Sequence, residues 1–100
     1  MSEPHWPFDQ PPNCAAITLR SIVFGGAPIL HVTHDEDDDG WQFLGFDDAR
    51  EDDACVVAMK TVVAKDPSVL ELADMPPGWH AWRRSRDAPW QRAPQTASEA

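Results

Sequence analysis

Five carboxylates stand together at Asp35-Glu36-Asp37-Asp38-Asp39, and the chain alternates apolar and polar residues on both sides of them. Leu30-His31-Val32-Thr33 comes before and, after Gly40, Trp41-Gln42-Phe43-Leu44 follows. A period of two puts every second side chain on one face of an extended strand. Two such segments, joined by a polar run containing a glycine able to take positive φ, make a β-hairpin. The densest charge of the chain therefore belongs to a structured turn and not to a tail. Adjacent carboxylates repel one another, so the turn costs free energy unless water, a cation or a basic partner relieves it. The run is either a solvated turn or a recognition surface.

A second acidic connection, residues 46 to 53, brings the count from Asp35 to Asp53 to ten acids against a single base, Arg50. Over the 100 residues the net charge is −9. Such a field repels phosphate backbones and anionic lipid, which argues against nucleic-acid or membrane-surface binding and makes a basic protein the natural partner. Four of the eight bases, Arg83, Arg84, Arg86 and Arg92, lie in the last quarter of the chain. One pole is acidic and the other mildly basic.

A chain of this length makes one domain and buries only about 60–65% of the surface that its unfolded form exposes. No apolar stretch is long enough to cross a bilayer and no secretory signal is recognisable, so the expected location is the cytoplasm. Cys14 and Cys55 are far apart, without the C-x-x-C spacing, and read as free thiols in a reducing compartment. The expected state is a monomer or weak dimer.

Residues 1 to 13 hold four prolines and read as an extended arm, which Trp6 and Phe8 can dock. The folded unit is expected to span 14 to 92, with residues 93 to 100 disordered. Ala16 to Phe24 reads as a strand, with a bulge or kink near Arg20-Ser21 bringing Ile17, Leu19, Ile22 and Phe24 onto one face. Residues 29 to 34 and 41 to 44 are the two hairpin strands. Ala54 to Met59 is continuous enough to be a central strand buried on both faces, and Lys60 to Lys65 either completes it or makes a helical turn. Asp66-Pro67 starts a helix, with Asp66 as N-cap and an apolar stripe of Val69, Leu70, Leu72 and Ala73. Pro76-Pro77-Gly78 stops it. Trp79 to Arg84 and Trp90 to Arg92 are the last strands, with a turn at Asp87-Ala88-Pro89. The fold class is α+β: a mostly antiparallel sheet of four to six strands with one or two short helices packed on one face.

Asp35-x-Asp37-x-Asp39-Gly40 matches the first half of a calcium-binding EF-hand loop. The twelfth position is Phe46 instead of glutamate, and the flanks read as strands, so a solvated or protein-facing turn is favoured over a divalent-cation site. His31 and His34 fall on opposite faces of their strand and do not make a metal pair, and His80 joins either only through tertiary packing. No elbow serine or phosphate-binding glycine loop is present. A small enzyme using His31, His34 or His80 with a carboxylate is the minority alternative, and the chain is read as non-enzymatic and without a cofactor. The expected binding residues are Asp35, Glu36, Asp37, Asp38, Asp39 and Trp41. A secondary surface of Trp82, Arg83 and Arg84 is expected to stack or anchor a partner, unless the arginines cover indoles as cation–π lids.

The pieces His34-Asp35-Glu36-Asp37-Asp38, Trp41-Gln42-Phe43, Asp66-Pro67-Ser68, Glu71-Leu72, Pro76-Pro77-Gly78-Trp79 and Ala81-Trp82-Arg83 resemble a family of small uncharacterised bacterial proteins across residues 14 to 92. The W-x-F, DP-S and PPG-x-x-A pieces are also similar to a domain of unknown function among immunity proteins of bacterial polymorphic toxin systems. The first resemblance implies no catalytic residue. The second implies stoichiometric binding of a toxin.

Overall fold

The acidic turn joins two paired strands. In the computed structural model, which describes residues 6–8, 10–37, 40–45 and 53–95, β2 (His31–His34) and β3 (Trp41–Leu44) pair antiparallel with His34 opposite Trp41 and His31 opposite Leu44. The turn is closed by the Asp35 N–H, which donates to the Gly40 carbonyl at 2.8 Å. The Asp35 carboxylate accepts the Asp37 N–H at 2.9 Å, an Asx turn that only a short polar side chain can make. Asp38 and Asp39 lie outside the described residues.

Before the hairpin come β1 (Ala15–Leu19) and α1 (Arg20–Val23); after it come β4 (Ala54–Ala58), α2 (Met59–Lys65), a 3-10 helix (Pro67–Leu72), β5 (Trp79–Trp82) and β6 (Gln91–Pro94). The six strands form one sheet in the order β4-β1-β3-β2-β5-β6. Only β1 and β3 run parallel; the other pairings are antiparallel. The α+β class and the mostly antiparallel sheet are thus as the alternation requires.

Among the described residues all of the helices cover the same side. Ala16, Val32, Phe43 and Ala81, one from each of four adjacent strands, pack with Ile22 of α1, Met59 and Val62 of α2, and Val69 and Leu72 of the 3-10 helix into one core. Thr18 joins them by donating its hydroxyl to the Phe43 carbonyl at 2.7 Å, so its polar atom is satisfied inside. The Asp66 cap is as read: its carboxylate accepts the Ser68 N–H at 3.1 Å with Pro67 at the first helical position. The helix it starts is 3-10. Among the described residues no helix is long and apolar enough to cross a membrane.

Three expectations are corrected. The strand expected to run to Phe24 ends at Leu19, because the chain turns into α1, which aims Ile22 and Val23 into the core; Ile17 faces outward and Phe24 is 79% exposed. The strand read as central and buried on both faces, β4, is an edge of the sheet with Val56 66% exposed. An uninterrupted apolar run does not reveal which of its sides will find a cover. Residues 93 and 94, assigned to a tail, belong to β6, where Pro94 ends an edge strand that needs no donor on its outer side. Residues 96 to 100 lie outside the described residues. The described part of the proline arm docks through Trp6 and Phe8, as the sequence allowed: Phe8 is 5% exposed and meets Trp41 edge-on at 5.1 Å, while the Trp6 indole N–H donates to the Gln10 carbonyl at 2.7 Å.

Candidate binding face

Because every helix lies on one side, the other face of the sheet carries no covering element among the described residues. Strand alternation and pairing give its membership. Ile17 lies beside Gln42 of β3 and Val56 of β4, Thr33 lies opposite His80, and His31 lies opposite Trp82. Ile17 is 41% exposed and Val56 66%, which is unusual for large apolar side chains in the middle of strands. At the β4-β1-β3 part of this face is an open depression of about 280 Å³, lined by Ala15, Ala16, Ile17, Gln42, Val56, Gly40, Trp41 and Asp35. The first residue of the acidic turn thus borders an apolar hollow.

Strand direction fixes where the charges stand. β2 runs from His31 into the acidic turn, and β5 runs antiparallel to it, so Arg83 to Arg86 leave the sheet at the opposite end. There a wider cleft of about 500 Å³ is lined by Trp82, Arg83, Arg84, Ala88, Pro89 and Gln91.

Two expected binding residues are buried. Trp41 is 2% exposed, because the phase of β3 puts Trp41 and Phe43 inward; its ring stacks on His34 at 4.1 Å and its indole N–H donates to the Gln10 side-chain oxygen at 3.0 Å. Arg83 is 3% exposed. Its guanidinium donates to the Ile29 carbonyl, the Ser68 hydroxyl, the Arg86 carbonyl and the Asp66 carboxylate, and its carbon lies 4.1 Å from the centre of the Trp90 ring. It is a fastening between the β5–β6 hairpin and the 3-10 helix, with the indole lid as the alternative reading had it. Burial alone pushes the Asp66 carboxyl up, but the Ser68 hydrogen bonds and the Arg83 cation outweigh that and leave it below its ordinary value. Asp35, Glu36, Asp37, Trp82 and Arg84 do stand at the surface or partly so.

The three histidines divide. His34 faces the helical side, its Nδ1 2.7 Å from the Met75 carbonyl oxygen. His31 and His80 meet on the open face, Nε2 to Nδ1 at 3.1 Å. Their ring centres are 5.3 Å apart, close to the largest separation that rings touching through these atoms can have. The two nitrogens therefore point straight at each other, as in an N–H···N hydrogen bond, whereas two ligands of one ion converge at an angle. Among the described residues no group of three or more His, Cys, Asp or Glu could hold a metal ion. His31 is held below the usual histidine range, first by burial and second by the charge of His80. His31 and His80 thus share the open face, and His34 lies on the far side of the sheet.

Ile17 and Val56 were not legible as site residues. Nothing local separates an apolar strand residue that meets a helix from one left open; the pairing order decides it. No protein-family model, curated protein or solved structure matches this chain.

Proposed function

We propose that this protein is a non-enzymatic binding module whose docking surface is the uncovered face of its sheet, with the acidic turn at the rim selecting a basic partner. The observation that carries the reading is the apolar hollow of Ile17, Val56 and Ala15 bordered by Asp35. Apolar side chains supply the burial that holds a partner, and the −9 field speeds encounter with a positively charged one. Two free cysteines suit a reducing compartment such as the bacterial cytoplasm. The similarity to immunity-type domains gives the partner one concrete form, a toxin with a basic surface held one to one.

The experiment uses an alternating valine–lysine peptide as probe and maps its effect on the backbone NMR spectrum. Shifts concentrated at Ile17, Gln42, Val56 and Asp35 to Asp37 that shrink as salt rises are the expected result. Ile17→Glu abolishes them and Asp35→Asn with Asp37→Asn weakens them. Shifts spread evenly over the acidic surface, or indifferent to Ile17→Glu, overturn the reading.

A further inference from the structure

The two edges of the sheet are unlike. At one edge β6 ends in Pro94, which has no N–H to give, and its Arg92 is bonded to Asp74 at 2.8 Å. Proline and charge both obstruct a further strand. At the other edge β4 reads Ala54-Cys55-Val56-Val57-Ala58, without charge or proline, in register with β1 over all five residues. The ladder fixes where its backbone groups point. The Met59 N–H donates to the Cys14 carbonyl at 2.8 Å, one step beyond the Ala15–Ala58 pair. The alternation of an antiparallel pair then turns the N–H and C=O groups of Cys55 and Val57 toward β1 and those of Ala54, Val56 and Ala58 away from the sheet. Among the described residues no strand and no hydrogen bond meets this outward row.

We infer that the partner enters as an extended segment that pairs with the outward row of β4 and adds a strand to the sheet. The inference rests on the docking reading and names the form that the partner takes there. Val56 belongs to both features: its side chain, 66% exposed, forms the β4 side of the apolar hollow, and its backbone is the centre of the unpaired row. A residue paired with Val56 sends its own side chain to the same face, against Val56 and toward Ile17, which lies on the other side of Val56 in β1. One added strand therefore satisfies the edge and covers the apolar rim together. A helix cannot do both, because its backbone groups are already bonded within it. The charge of the segment follows from the chain. Five acids against Arg50 lead from Phe46 into β4, in a molecule of net charge −9. The segment is accordingly apolar at every second position and basic between them.

Amide hydrogen exchange of the whole chain, with and without saturating valine–lysine peptide, tests it. The Val56 and Ala58 amides, which face outward, exchange fast in the free protein and slow about tenfold or more with the peptide bound. Those of Cys55 and Val57, already bonded to β1, change little. The second arm is Ala58→Pro. Ala58 has φ −70°, which proline adopts, and its N–H points outward, so the ladder to β1 is kept and circular dichroism is unchanged. The variant loses one outward donor and sets a ring in the path of an added strand, and peptide affinity falls about tenfold or more. Ala58→Val, which enlarges the side chain and keeps the N–H, binds as the parent does. Shifts at Ile17 and Gln42 without slowed exchange at Val56 and Ala58 overturn the inference and leave the docking reading standing. Full affinity in a folded Ala58→Pro does the same, and should that variant not fold, the exchange measurement decides alone. A peptide that shifts nothing overturns both.

Discussion

Replacing Asp66 should destabilise this domain far more than its place on a short surface helix suggests. The carboxylate does two things: it caps the 3-10 helix through the Ser68 N–H and hydroxyl, and it neutralises Arg83. Loss of an N-cap costs about 1 kcal/mol. Stranding a buried cation costs about 3–5 kcal/mol, because the 2% exposed Arg83 side chain cannot turn to water without leaving Ile29, Ser68 and Trp90. Asp66→Ala should therefore cost about 4–6 kcal/mol, comparable to the whole stability of many small domains. Asp66→Asn, which keeps a capping oxygen, should cost about 3 kcal/mol. Urea unfolding followed by tryptophan fluorescence gives both numbers, and Arg83→Met in the Asp66→Asn background should recover part of the loss, because the stranded charge is then gone. The carboxyl also sets an acid limit. Its folded value lies below the ordinary 3.8, so its contribution is complete above pH 3.8 and is lost as pH falls through the folded value. The Asn variant should lack that step. A cost under about 1 kcal/mol for Asp66→Ala, the range of an exposed ion pair, would refute the reasoning.

Two further outcomes are expected. In an NMR titration His31 should protonate below its ordinary 6.5, and His80→Gln should move it upward by removing the neighbouring charge. The sign for stability is that His31 contributes fully above pH 6.5 and its contribution falls as pH drops through the folded value; a His31 that titrates at 6.5 in the intact protein would refute its burial beside His80. Phe8→Ala, which empties the site against Trp41, should cost about 3 kcal/mol, and a loss within about 0.5 kcal/mol would mean the arm is not part of the core in solution.

Much of the local structure could be read from neighbouring residues. The hairpin followed from two period-two segments around a polar turn, and the Asp66-Pro67 start followed from capping chemistry that acts over two residues. The errors arose where the same residue type serves two environments. Trp41 beside five acids reads as a surface aromatic, yet its phase in β3 turns it toward His34 and Phe8. Arg83 beside Arg84 reads as one basic patch, yet one is buried and bound while its neighbour is exposed.

By itself the sequence determined the charge of the molecule, the acidic turn and its two strands, the capped helix and the α+β class, because these depend on side-chain chemistry and on periods spanning a few residues. Tertiary structure alone decided that β1 runs beside β3, that β4 is left at an edge, and that His31 meets His80 across 49 positions. Those outcomes rest on which strands find each other and on three helices sharing one side of the sheet. Burial favours covering one face well over covering two faces poorly when a chain is this short, and the face left open is where Ile17 and Val56 stand.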